Sequence, residues 1–362
     1  MKVLHAGDFH LDSPFRSLPP AEARRRRQEQ RRALDSLRAL ASAQQVDLAL
    51  LCGDLFDAQT IYPETLQALC AALEDFPCPV CISPGHHDPF TDRSPYNTHL
   101  WPDHVHIFRD ERVTSLTFSS LGVRVYGCAF TSPMREDDPL RGFEAPQDGL
   151  INLGVFHAQI GKVGSYAPVD PRSLASSRLT YAALGHVHQV TPPNLADPTP
   201  WGYCGCLMGR GFDETGDRGG CIVTIEGGRV TDWQLVPLAQ SRYLLLDADV
   251  TDRDPREVVL ETLGHDHLED YCRLSLRGES AGVDLSLLAA AAQGRCRALE
   301  LRDDTVVPRA VWARLEEDTL TGFFLRELRA QLDAETDADA QRRLQLAVRY
   351  GLAALEGREP PQ

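Results

Sequence analysis

The sequence predicts an α/β fold, followed by a small α+β unit and a helical tail. Three observations carry this prediction. Short apolar runs alternate with stretches of helical composition through the N-terminal part of the chain. Five of those runs end in loops that open with Asp or His. Near Pro237 that pattern stops, and from about Arg309 the chain is rich in Leu, Ala, Arg and Glu.

The elements follow in order. Residues 2–6 read as a strand running into a loop with Asp8 and His10, and residues 21–44 as a helix. Residues 46–52 form a second apolar strand leading into GDLFD, which contains Asp54. A helix is expected over 65–76 and a strand over 79–83, with PGHHD following at once. Further strands are expected over 123–129, 150–156 and 181–184, and the last two run into His157 and GHVH. In α/β sheets ligands gather beyond the carboxyl ends of the strands, so these loops should converge on one rim.

After the change of character, strands are expected over 243–250, 272–278 and 298–302, with helices over 255–263 and 285–292. In the tail, Leu320, Phe323, Phe324 and Leu328 recur at helical spacing, as do Leu344, Val348 and Leu352. Such a stripe is either core or a partner-docking face, and amphipathicity does not separate the two. The expected division is residues 1–238, 239–305 and 306–362.

A chain of 362 residues exceeds what one compact core holds, and 43% hydrophobic with 25% charged residues is ordinary for a globular protein. The net charge of −15 argues against a protein that coats nucleic acid by bulk electrostatics. Arg24 to Arg27 with Arg31 and Arg32 form the one basic run, and a solvated helix face is favoured over a backbone-guiding strip. His5 and Asp8 fall where a secretion signal would be apolar, and no run reaches the roughly 20 residues of a membrane span, so the expectation is cytoplasmic. Cys52, Cys78, Cys81, Cys128, Cys221 and Cys272 lie in or beside apolar stretches, as small hydrophobes do. Cys204 and Cys206 lack the spacing of a zinc knuckle.

Phosphodiester hydrolysis requires an anionic centre to accept an anionic nucleophile. Two divalent cations about 3.5–4 Å apart answer this by lowering the pKa of a bridging water and neutralising phosphoryl oxygens. Such a site needs a bridging carboxylate, several His or Asp ligands and a group that protonates the leaving oxygen. Asp8 and His10 supply a D-x-H pair, Asp54 the bridge, PGHHD the neighbours His86 and His87, and His157, His186 and His188 the remaining imidazoles. Each element alone is weak; the ordered set, each after an apolar run, is strong.

The set resembles the calcineurin-like metallophosphoesterases, whose pattern is DxH, GDxxD, GN[HE]D, a later H and GHxH. Within them, HAGDFHLDSPF, GDLFD, VFHAQIG and GHVHQ are most similar to DNA repair exonucleases of the SbcD type and their YhaO-like relatives. The resemblance extends to a capping domain from Tyr243 and, through TGFFLREL and AVRYGLAALEG, to a helical tail. It implies a β-sandwich flanked by helices and two divalent ions, most often Mn2+. One ion would be held by Asp8, His10, Asp54 and His188, the other by Asp54, His86, His157 and His186. His87 would be the catalytic histidine. One departure is His86, where the family has Asn; imidazole shifts preference toward zinc or iron.

The resulting expectation is a metal-dependent DNA exonuclease and endonuclease in DNA repair, working with an SbcC-like ATPase and forming a homodimer through helices of the first domain. The alternatives are a phosphodiesterase for nucleotides or other small diesters, and a weakly active regulatory subunit of the ATPase, which only His86 favours. Among the remaining polar residues, Asp57 is expected to cap a helix, Asp88 to orient ligands from behind, and His5 to lie in the core or at an edge. His99, His104 and His106 are expected in loops or strands, and His265 and His267 at the surface.

Overall fold

The computed structural model describes residues 1–57, 61–161 and 166–358. They pack as two compact units, one of residues 1–210 and 216–240, the other of residues 211–215 and 241–362.

The first unit holds two sheets. One has six strands in the order Arg229–Pro237, Gly219–Glu226, Lys2–Ala6, Leu48–Leu51, Val80–Ile82, Val105–Ile107. The last four are parallel to one another and the first two antiparallel. The other sheet has five, in the order Trp201–Tyr203, Tyr181–Gly185, Ile151–His157, Val123–Gly127, Thr114–Phe118. Side-chain alternation sorts the strand residues into layers. Val3, Leu48, Leu50 and Val223 pack against Val125, Leu153, Val155 and Ala183 of the other sheet. Leu4, Ala49, Leu51 and Ile82 face the opposite way, onto Leu34 and Leu37 of helix Pro20–Ala43 and Leu69 and Leu73 of helix Pro63–Glu74. The result is a β-sandwich with helices outside it, as expected.

Gly219–Glu226 and Arg229–Pro237 are strands that the sequence reading did not place. The first has only the short apolar run Cys221 to Val223 behind two glycines, and the second is a half-exposed edge with polar residues along it. Helix Pro20–Ala43 carries the arginine run, and here the expectation of a solvated face is overturned for one residue. Arg24 is exposed, but Arg26 is fully buried, with Nη1 2.5 Å from Glu29 Oε2.

His5 is core. It sits between the sheets, where Nε2–H donates to the Leu184 carbonyl (3.1 Å) and Nδ1 accepts from the Tyr181 hydroxyl (2.9 Å). The Tyr181 oxygen accepts in turn from Trp233 Nε1–H (2.9 Å). No disulfide forms among the described residues.

In the second unit, strands Tyr243–Asp249, His267–Arg277 and Cys296–Asp303 form one parallel sheet, alternating with helices Pro255–Leu263 and Leu285–Ala291. Asp254 and Asp284 cap those helices through Arg256 N–H and Ser286 N–H. Helices Leu320–Ala334 and Ala338–Leu355 then pair, and Leu325, Val348 and Leu352 are buried with Val307 while Phe324 and Leu328 pack against them. The stripe is therefore mainly core, with Leu320 and Phe323 left at the surface. The last four residues of the GREPPQ tail lie outside the described residues. Among the described residues no helix is long and apolar enough to cross a membrane.

Candidate metal centre

Parallel pairing carries the expected residues to one rim. Strands Lys2–Ala6, Leu48–Leu51 and Val80–Ile82 run side by side, and the ladder continues past them as Asp8 N–H to Gly53 O, His10 N–H to Asp54 O and Ser83 N–H to Leu51 O (2.9, 2.9 and 3.0 Å). On the second sheet Gly185 stands opposite His157. The sheets come close where these ends meet, since a Cβ at Gly185 would collide with the Cys52 carbonyl; within the first sheet, one at Gly85 would collide with Asp54 Oδ1. Asp8, His10, Asp54 and His186 all take left-handed backbone, with φ of 50°, 45°, 48° and 98°. Such residues cost on the order of 1 kcal/mol or more each and gather at functional sites.

All eight expected residues come together. Their ligand atoms form overlapping groups: His86, His157 and His186; Asp8, His10 and His188; His10, Asp54 and His87; Asp8, Asp54 and His157. Asp54 is the hinge. Its Oδ1 accepts from His87 N–H (2.9 Å), while Oδ2 faces His86 Nδ1 at 3.2 Å, His157 Nε2 at 3.4 Å and His10 Nε2 at 3.7 Å. That oxygen is buried and has no hydrogen-bond partner. Opposite it, His10 Nε2 and His188 Nε2 lie 3.1 Å apart, and His86 Nδ1 and His157 Nε2 2.9 Å apart. His157 Nδ1–H donates to the Cys52 carbonyl (2.8 Å) and His10 Nδ1–H to Asp57 Oδ1 (2.9 Å), so each turns an Nε2 lone pair inward.

The electrostatics agree with a cation here. Burial pushes Asp8 up to about 7, against the pull of His188 and the His186 N–H. Burial, then the Asp88 and Asp8 charges, drives Asp54 well above the carboxylate range. Burial and the neighbouring histidines hold His86 down at about 3 and His157 well below its usual value. Neutral imidazoles beside buried, uncompensated carboxylates suit divalent ions. When bound, such ions activate a water and draw charge from the phosphoryl oxygens.

The chain supplies the rest. Asp88 works on the backbone of the bridge loop more than on any imidazole. It accepts from Asp54, Leu55, Phe56 and Gly85 N–H (3.1, 2.7, 3.1 and 2.8 Å) and from the Tyr96 hydroxyl (2.6 Å). His87 Nδ1–H donates to the Asp57 carbonyl (3.2 Å), and the side chain is partly exposed.

Asp57 corrects the sequence reading. The following helix starts at Pro63 behind Tyr62, and the Asp57 carboxylate instead orients His10 and meets Arg210 Nη1 at 3.3 Å. Sequence reasoning also missed Gln30, whose Nε2–H donates to the His10 carbonyl (2.8 Å), and Tyr166, whose ring lies 4.6 Å from that of His86 and 5.0 Å from that of His186. A helical Gln and a loop Tyr carry no local pattern that could have marked them. His104 donates to the Leu73 carbonyl (2.8 Å), His106 lies in a strand, and His265 is exposed, so none joins the centre. Cys204 and Cys206 are buried and belong to no metal-type cluster among the described residues.

Residues 1–190 match the family model of the calcineurin-like phosphoesterases. The chain is 27% identical over 247 residues to the metallophosphoesterase YhaO of Bacillus subtilis, covering 64% of this chain and 59% of that relative, less than two thirds of its length. It is 31% identical over 290 residues to the SbcD subunit of the nuclease SbcCD of Bacillus subtilis, covering 68% of this chain and 71% of the other. To the SbcD subunit of Staphylococcus saprophyticus it is 22% identical over 311 residues, covering 76% and 78%. The chain belongs to the calcineurin-like phosphoesterase family and is a metal-dependent phosphoesterase.

Proposed function

We propose that this protein hydrolyses DNA phosphodiester bonds, as an exonuclease and endonuclease in DNA repair. One observation carries the reading: Asp54 Oδ2 lies within 3.7 Å of His10, His86 and His157 nitrogens, with the His87 ring against those of both His10 and His86. Asp8, His10, Asp54 and His188 would hold one ion, and Asp54, His86, His157 and His186 the other. His87 protonates the departing oxygen. Manganese suits the mixed carboxylate and imidazole set, and His86 makes the second set tolerant of iron or zinc. The similarity to SbcD subunits extends past the phosphoesterase region, which supports an SbcC-like ATPase as partner; the working form on this reading is a homodimer. On this reading residues 239–305 cap the nuclease domain (1–238), and tail residues 306–362, with Leu320 and Phe323 exposed, are a docking region.

A second reading keeps the centre and changes the substrate to nucleotides or other small diesters; the charge of −15 favours it. Labelled linear duplex incubated with manganese, beside His87→Ala, tests the proposal. Cleavage by the wild type, slowed about 100-fold or more in the variant, is expected of a general acid. Absence of cleavage by a protein that still hydrolyses small diesters would overturn the DNA assignment.

A further inference from the structure

We infer that Arg210 is a substrate-phosphate contact, held at the edge of the metal centre by a buried brace from the first helix. Its guanidinium lies beside the ligands without joining them: Nη2 is 3.2 Å from His188 Nδ1, and Nη1 is 3.3 Å from Asp57 Oδ1 and 3.4 Å from Ser13 Oγ. These contacts put a cation beside the His188 imidazole and the carboxylate that orients His10, within reach of a phosphoryl oxygen at the centre. The side chain is 24% exposed, which leaves it reachable from solvent.

The brace explains why it stays there. Arg26, wholly buried, pairs with Glu29 and sends Nη2–H to the carbonyl of Gly209, the residue before Arg210, at 2.5 Å. Burying a guanidinium is costly, and an apolar side chain would fill the same core space more favourably. What Arg26 adds is a fixed carbonyl next to Arg210. A planar guanidinium presented this way matches the oxygens of a phosphodiester in a fork geometry that a lysine does not reproduce. In a chain of net charge −15 such a cation also offsets the repulsion that an anionic substrate meets.

The inference rests on phosphoester hydrolysis and is independent of whether the substrate is DNA. The test uses the full chain loaded with manganese, as wild type, Arg210→Gln and Arg210→Lys, with metal content measured for each by mass spectrometry. The probes are inorganic phosphate as inhibitor, bis(p-nitrophenyl) phosphate as a small diester, and labelled duplex. Arg210→Gln is expected to raise the phosphate inhibition constant and the small-diester KM about tenfold, as loss of a charge-assisted contact does, with metal content unchanged. Arg210→Lys should fall between, and the salt dependence of duplex binding should drop by about one phosphate contact. An unchanged inhibition constant, or a loss of activity that tracks a loss of metal, overturns the assignment and leaves Arg210 a prop for Asp57 and His188. If the duplex is not cut while the small diester is, the DNA proposal fails and the phosphate arms still decide the role of Arg210.

Discussion

Replacing His5 with alanine should destabilise the protein at neutral pH and flatten its response to acid. Burial holds His5 at about 4, against 6.5 for the free side chain, with the Leu184 hydrogen bond pulling weakly the other way. As pH falls through 6.5 the unfolded chain takes up a proton that the folded chain refuses until about 4. Stability present above 6.5 is therefore lost on the way down to 4, by roughly 3 kcal/mol at 1.36 kcal/mol per tenfold change. Alanine removes this dependence. It also leaves the Leu184 carbonyl without its His5 donor and the Tyr181 O–H without its His5 acceptor, and opens a small cavity, at a cost of about 3 kcal/mol at pH 7.5. The two stability curves should thus lie about 3 kcal/mol apart at pH 7.5 and converge near pH 4. Urea unfolding followed by tryptophan fluorescence, in chelator so that the metal-site groups contribute equally to both proteins, reads the gap. A gap that stays constant between pH 7.5 and 4.5 would refute the reasoning.

Three further outcomes follow from the geometry. Chelation should abolish hydrolysis and lower the thermal midpoint, because an ion at a hundredfold over its Kd contributes about 2.7 kcal/mol to the folded state. A midpoint unmoved by chelator would count against a metal held by the buried carboxylates. Asp57→Ala should weaken metal binding or activity 10- to 100-fold, roughly the usual cost of losing a carboxylate behind a ligating imidazole, as read by metal titration. A change in stability alone would leave Asp57 a structural support with no role behind the metal ligands. Arg26→Leu should cost about 3 kcal/mol in urea, the low end for breaking a buried pair, since Arg25 still reaches Glu29 at 3.0 Å. Replacing Glu29 by Leu as well should recover most of that stability, while phosphate affinity, weakened by loss of the contact to the Gly209 carbonyl, should not recover.

The convergence of the candidate metal ligands was legible because their pattern is local in sequence. Asp8 with His10, Asp54 in GDLFD, and His186 with His188 each follow a strand whose apolar run is visible, and parallel pairing then aligns the strand ends. What stayed hidden depends on partners distant in the chain. Arg26 reads as one of four identical charges until the core closes on it and on no other. Asp57 looks like a cap because Asp before a helix usually is one; only the fold brings His10 within 2.9 Å of it. The left-handed backbone of Asp8, His10, Asp54 and His186 likewise leaves no trace in composition, since these residue types tolerate it without requiring it.

The chain passes from the first unit to the second after Arg210, returns at Gly216, and leaves again at Ser241. In the second unit the short visit is anchored by Phe212, whose ring lies 5.0 Å from that of Tyr243 and under the guanidinium of Arg273 at 4.0 Å. A first unit cut at residue 240 would therefore carry an orphaned aromatic segment two residues from Arg210. The same threading constrains how such proteins diversify. A lineage could not trade its second unit at a single recombination point, because residues 211–215 and everything from 241 onward would have to be exchanged together.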